Sequence, residues 1–204
     1  MKIICIGRNY ADHAKELKNE IPEEPIFFLK PDSSLLINNR PFYYPFISDD
    51  VQYETELVIR ISRVGKNIQE EYAAGYYDAI GLGIDFTARD IQKNCIKKGL
   101  PWEMAKGFDR SAPISEEFLS KEEFKNIKNI DFSLNVNGEL VQKGNSKDLI
   151  FSFDYLISYV SKFMTLKMGD LIFTGTPSGV GQVKIGDRLE GSIGEEKMFD
   201  FKVR

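Results

Sequence analysis

Apolar residues fall in short runs along this chain, and few of the runs carry helical spacing. Lys2-Ile-Ile-Cys-Ile6, Ile26-Phe-Phe-Leu-Lys30, Ala79-Ile-Gly-Leu-Gly-Ile-Asp85 and Leu171-Ile-Phe-Thr174 read as buried strands. Val51-Gln-Tyr-Glu-Thr-Glu-Leu-Val-Ile-Arg60 alternates and reads as a further strand, finished by Ile61 to Gly65. Ser133 to Gln142 is a hairpin signal, because Asn137-Gly138 suits a type I′ turn. Gly186 to Glu190 and Met198 to Val203 read as closing strands. Four stretches read as helices: Tyr10 or Ala11 through about Asn19, capped by Asn9; Glu70 to Tyr77; Thr87 to Lys98; and a helix capped by Ser152. The third opens on Thr87 and Asp90 as an approximate capping box and ends at Gly99-Leu-Pro101, and the last turns Phe153, Leu156, Ile157 and Val160 inward. Many short strands with few helices predict an α+β, mainly β fold, a mixed-strand roll or barrel with peripheral helices.

Composition narrows the function. At 204 residues the chain suits one main domain over 1–204, and a net charge of −4 with a pI near 5.3 gives nucleic acid nothing to bind. The first apolar run stops at Arg8 and no run reaches the length of a span, so no membrane partner is expected. Cys5 and Cys95 have no metal spacing and fit a reducing, cytoplasmic setting. A single histidine, His13, excludes a zinc site built from several imidazoles.

The chemistry concentrates in acids. In an extended strand Glu54 and Glu56 leave from one face, and Asp85 adds a third carboxylate at the end of a glycine-rich strand. Glu54 and Glu56 alone also fit a solvated acidic edge, but three unneutralised carboxylates suit a hard divalent cation: magnesium, manganese or calcium. His13 and Glu16 share a helix face, the arrangement in which a carboxylate makes an imidazole a better base. That helix carries few apolar residues, which suits a mobile lid. Arg89 and Gln92 open a helix beside Asp85 and are placed to hold a carboxylate or keto oxygen, and Lys30 could reach an anion from a strand end. Lys106, between Ala105 and Gly107, has room to stabilise an oxyanion or enolate. Gly175-Thr176-Pro177-Ser-Gly179-Val-Gly181 lacks the Lys-Ser/Thr of a phosphate loop, so its amides and the Thr176 hydroxyl are expected to meet an anionic substrate group.

Taken in order, Gly7-Arg-Asn-Tyr-Ala-Asp-His13-Ala-Lys-Glu16, Phe28-Leu-Lys30-Pro31, Glu54-Thr-Glu56, Asp85-Phe-Thr-Ala-Arg89-Asp-Ile-Gln92, Gly99-Leu-Pro-Trp102, Ala105-Lys106 and Thr174-Gly-Thr176-Pro-Ser-Gly-Val-Gly181 resemble the fumarylacetoacetate hydrolase family. The likeness is to its short, single-domain branch of acylpyruvate hydrolases, oxaloacetate decarboxylases and hydroxyheptadienedioate isomerases. It implies a mixed β-sandwich roll, a homodimer, and a magnesium or manganese ion on Glu54, Glu56 and Asp85. It implies a His13–Glu16 dyad on an N-terminal lid helix, Lys106 beside the metal, and substrate contacts from Arg89, Gln92, Lys30 and Thr176. The expected reaction is cleavage of the C–C bond of an acylpyruvate by a metal-stabilised enolate. Oxaloacetate decarboxylation and diacid isomerisation use the same enolate, and a metal-stabilised binding module without catalysis is the reading from another class. Two stretches depart from the family pattern: Gly107-Phe-Asp-Arg-Ser-Ala-Pro-Ile, which bears on the pocket wall, and Asp32 after Lys30-Pro31, which bears on substrate size.

Overall fold

A computed structural model describes residues 1–16 and 20–204. Strands dominate among them. A six-stranded mixed sheet runs in the order Ile26–Lys30, Ile3–Gly7, Leu171–Phe173, Thr55–Ile61, Tyr77–Ile84 and Leu119–Ser120. A four-stranded antiparallel sheet runs in the order Glu139–Asn145, Asp131–Val136, Arg188–Ile193 and Glu196–Lys202. Two smaller sheets complete the mixed roll, with helices Arg89–Lys98 and Phe153–Phe163 outside it. The main core lies between the two large sheets, where Leu57, Ile59, Ile80 and Leu82 meet Leu134, Leu189, Phe199 and Phe201.

Local chemistry accounts for most boundaries. Asn137 and Gly138 both hold positive φ, 54° and 84°, as a type I′ hairpin requires. The Ser152 side chain accepts a bond from the Tyr155 amide, and Phe153, Leu156, Ile157 and Val160 are buried along the helix it caps. Helix Arg89–Lys98 ends on Gly99 at φ 64°, a left-handed stop that glycine adopts without steric cost.

Other expectations fail for identifiable reasons. The run from Val51 splits into Val51–Tyr53 and Thr55–Ile61, with Glu54 at the break, and it ends before Gly65. The helix expected over Glu70 to Tyr77 stops at Ala73, because Tyr77 already belongs to a strand. Thr87 and Asp90 form no capping box: Asp90 accepts from Ser48 and the Asp49 amide, and the Thr87 hydroxyl turns inward. Asn9 does not cap the first helix either; its side chain is buried and bonded to Phe151 and Thr174. That helix covers Ala11–Glu16, and the expected continuation over 17–19 lies outside the described residues. A four-residue helix at Glu103–Lys106, not anticipated from the pattern, carries Lys106. Among the described residues no helix is long and apolar enough to cross a membrane.

Candidate active site

Sheet register creates the centre. Thr55 pairs with Ile84 and Glu56 with Gly83, so Glu54 and Asp85 face each other one step beyond the ladder, joined by a 2.8 Å bond from the Asp85 amide to the Glu54 carbonyl. Period-two alternation then puts Glu56 on the same face as Glu54. Carboxylate oxygens of Glu54, Glu56 and Asp85 lie within 4.8 Å of one another, and all three residues are buried. The glycine at 83 serves a neighbour and not a ligand: a Cβ there would stand 2.6 Å from the Phe173 ring. Strand Leu171–Phe173 packs along the other edge of Thr55–Ile61 and delivers Gly175, whose amide donates to Glu56 Oε2 at 2.7 Å. Gly175 holds φ 104°, and a side chain there would meet Asn9 Cβ at 2.7 Å.

Like charges this close need compensation. Lys106 Nζ donates to Glu54 Oε2 (2.8 Å), Asp85 Oδ2 (2.6 Å) and Thr87 Oγ1 (2.6 Å). The Arg89 guanidinium bonds Glu54 Oε1, and also Gln92 Oε1 at 2.6 Å and Gln52 Oε1 at 2.8 Å. Burial raises the Glu54 pKa, but the Lys106 and Arg89 charges outweigh it and hold this carboxyl below the usual range. Glu56 has no such partner: burial, then the Asp85 and Glu54 charges, push its carboxyl well above the usual range. Burial lowers the Lys106 pKa, and the Asp85 and Glu54 charges reverse that to a net rise.

The donor set fits a hard cation. Asp85 Oδ1 lies 2.7 Å from Lys30 Nζ yet receives no aligned hydrogen bond, because Lys30 directs its bonds to Ser111 O (2.9 Å), Ser111 Oγ (2.9 Å) and Phe86 O (3.2 Å). A buried anionic oxygen without a hydrogen bond, beside a carboxyl that lacks a counter-charge, suits all-oxygen ligation of a divalent ion. Glu54, Glu56 and Asp85 would hold it.

A cavity of about 330 Å³ opens over this cluster. His13, Arg89, Gln92, Lys106 and Thr176 line it together with the three acids, Phe28 and Trp102. His13 is buried with Nδ1 3.2 Å from Glu16 Oε2, and Glu16 Oε1 accepts from the Gly179 amide at 3.1 Å. His13 therefore reaches the cavity with Glu16 at its back, and the pair is tied to the glycine-rich loop. Thr176 Oγ1 accepts from Gln142 Nε2 at 2.9 Å, which leaves its hydroxyl proton to donate. Lys30 is placed differently from the expectation of a substrate contact: it does not line the cavity and stands behind Asp85 as a counter-ion.

Several participants were not read from the sequence. Gln52, two residues before Glu54 on its face, orients Arg89. Gln142, from the far hairpin, accepts from the Thr55 amide at 3.0 Å and donates to Thr176 and Pro177, pinning the ligand strand to the glycine loop. Ser111 positions Lys30 and bonds the Lys106 carbonyl. Only Gln52 left a trace in the sequence, through its spacing from Glu54.

Comparison with known proteins places the chain in a family. The family model described as fumarylacetoacetate (FAA) hydrolase C-terminal matches residues 2–200. The chain is 47% identical over 193 residues to the mitochondrial oxaloacetate decarboxylase of Dictyostelium discoideum, covering 94% of this chain and 88% of that protein. It is 44% identical over 202 residues to the mitochondrial oxaloacetate tautomerase FAHD1 of Mus musculus, covering 99% and 91%. Among solved structures, fumarylpyruvate hydrolase from Pseudomonas aeruginosa in complex with Mn2+ and pyruvate superposes with a TM-score of 0.94 at 36% identity, covering 100% of this chain and 89% of that one. On the fold, the buried acidic centre and these relatives together, the chain is an enzyme of the fumarylacetoacetate hydrolase family.

Proposed function

We propose that the protein is a divalent-metal-dependent hydrolase of acylpyruvates, releasing a carboxylate and pyruvate by way of a pyruvate enolate. The observation that carries this reading is His13, lining one cavity with the three acids and Lys106 while its Nδ1 lies 3.2 Å from Glu16 Oε2. A Mg2+ or Mn2+ ion on Glu54, Glu56 and Asp85 supplies Lewis acidity toward a 2-oxo acid. Arg89 Nη1 and the Gln92 amide present donors toward the substrate carboxylate. Glu16 accepts through His13 the proton of a water that attacks the C4 carbonyl, and the C3–C4 bonding pair moves onto the pyruvate fragment. Lys106, held charged by its two carboxylates, stabilises the enolate oxygen, and a proton returned to C3 yields pyruvate.

A second reading, decarboxylation or tautomerisation of oxaloacetate, is favoured by the relatives named for those reactions at 47% and 44% identity. Decarboxylation gives the same pyruvate enolate as carbon dioxide leaves, without the attacking water; tautomerisation breaks no C–C bond and moves a C3 proton of oxaloacetate to the C2 oxygen through that acid's own enolate. Acetylpyruvate, oxaloacetate and a hydroxymuconate-type diacid, each incubated with and without EDTA, separate these activities. EDTA-sensitive release of acetate from acetylpyruvate is the expected result; turnover of oxaloacetate alone moves the assignment to the second reading, and no turnover of any moves it to a binding module.

A homodimer accompanies this proposal, supported by exposed apolar side chains at Tyr43, Phe46 and Ile47. Two buried free thiols, Cys5 and Cys95, support a reducing compartment, which we assign as the cytoplasm.

A further inference from the structure

The cations around the cavity divide by pairing. About the three acids every cation is matched: Lys106 and Arg89 hold Glu54, Lys106 also holds Asp85, and Lys30 stands behind Asp85. Three more cations line the cavity, the half-buried Arg8 and the exposed Lys93 and Lys97, while among the described residues its only lining acids are the three buried ones. Lys93 has a distant partner, Asp50 at 3.8 Å. Among the described residues neither Arg8 nor Lys97 has a carboxylate within ion-pair distance or a side-chain hydrogen bond. The same cavity also has an apolar stretch of wall, formed by Phe28, Ile96 and Trp102.

Arg8 is also held in an unfavourable backbone conformation. Its φ is 60°, a region that costs a residue carrying a Cβ roughly 1–2 kcal/mol and that glycine or asparagine would occupy more easily. The next residue fixes it there: Asn9 is fully buried and tied to Phe151 and Thr174 by bonds of 2.7 to 3.0 Å. Strand Ile3–Gly7 therefore ends in a locked turn, and the Arg8 that follows it lines the same cavity as Lys97 from helix Arg89–Lys98.

We propose that Arg8 and Lys97 form a second anion subsite that takes the distal carboxylate of a dicarboxylic 2-oxo acid, making Arg8 the residue that selects diacids over monoacids. This inference rests on the functional reading above, in that the first carboxylate is taken to sit at the inner end. The apolar wall suits the carbon chain between the two charged ends, and an unpaired guanidinium in a partly enclosed site binds a carboxylate through two parallel bonds.

The test uses non-cleavable pairs, so that it reads binding whatever reaction the enzyme performs. Affinity for 2-oxoglutarate against 2-oxopentanoate, and for 2-oxoadipate against 2-oxohexanoate, is measured by calorimetry on the Mn2+-loaded full-length protein and its variants. Wild type should prefer the diacid in at least one pair, and Arg8→Gln should reduce that preference roughly 10- to 100-fold, the range of a lost charge-assisted bond. Arg8→Lys should recover part of it, and Lys97→Gln should lose less than Arg8→Gln. Arg8→Gly, which relieves the left-handed turn, separates charge from backbone: loss of preference without loss of thermal stability supports the subsite. No diacid preference at either length in wild type, or equal weakening of both members of a pair in Arg8→Gln, overturns it. Absence of turnover on acetylpyruvate and oxaloacetate with the preference intact would instead remove the reaction and leave the subsite standing.

Discussion

The floor and the dyad wall of the cavity are built on different terms. The floor is crowded and buried: the three acids and Thr87 come from strands or their ends, the two cations from short helices packed on them, and Lys106 bonds Glu54, Asp85 and Thr87 at 2.6 to 2.8 Å. The dyad wall is a helix whose described part is six residues, with His13 and Ala14 buried. Asn9 anchors its start and the Glu16–Gly179 bond holds the dyad itself. Electrostatics belongs on preorganised strands, because a donor must not reorganise as charge develops. Proton transfer tolerates a more lightly held element.

Substitutions sharpen the contrast. Removing a floor acid should have the largest effect: Glu56→Ala is expected to lose bound metal and at least about 1,000-fold in kcat/KM on every substrate, the scale of a lost transition-state electrostatic contact. Metal content by elemental analysis checks it, and full occupancy in the variant would contradict the ligand set. Lys106→Met leaves Glu54 and Asp85 buried without their shared cation, so the metal-free protein should lose about 3–5 kcal/mol on chemical denaturation. Saturating metal should restore part of that loss, since a cation then faces the same oxygens.

On the dyad wall the effect should depend on the substrate. Glu16→Gln is expected to slow acetylpyruvate cleavage by roughly 100- to 10,000-fold, the range for a general base, and to slow oxaloacetate decarboxylation far less. Equal losses on both substrates would make the dyad a structural pair. Gln142→Leu tests the tie between strand and glycine loop. It orphans the Thr55 amide and should cost about 1–3 kcal/mol of stability, with a smaller loss of kcat than Glu16→Gln.

The smallest effect is a pH dependence. The Glu56 pKa is raised in the folded protein, first by burial, so this group favours the metal-free fold at low pH, and that contribution is lost as pH rises through its raised value. Glu54 has the opposite sign, its contribution failing only as pH falls below the ordinary carboxylate range. As pH rises out of the ordinary carboxylate range toward the raised Glu56 value, then, a divalent cation increasingly replaces what the Glu56 proton supplied, and the rise in Tm on adding Mg2+ or Mn2+ should grow. A constant rise across that interval would contradict the isolation of Glu56.

The contrast between floor and wall also explains what could be read from the chain. Strands, the Asn137-Gly138 hairpin and the Ser152 cap follow from local rules, and alternation alone placed Glu54 and Glu56 on one face. Register was not legible, and it is register that sets Asp85 opposite Glu54. Polar residues with two uses misled local reading: Thr87 follows the pattern of a cap but serves Lys106, and Asn9 follows the pattern of a cap but clamps Phe151 and Thr174. Lys30 left no sign that Ser111, far along the chain, would turn it away from the cavity. Gln142 lies on a solvent-edged hairpin in sequence and reaches the site only because the two large sheets pack face to face.

Anomalous diffraction from crystals loaded with Mn2+ and pyruvate addresses the central claim most directly. A single strong peak should lie at about 2.0–2.6 Å from oxygens of Glu54, Glu56 and Asp85, the bonding range of hard cations, with pyruvate against it and His13 facing the ligand. A peak elsewhere, or none at all with Lys106 still bridging Glu54 and Asp85 at saturating metal, would contradict it.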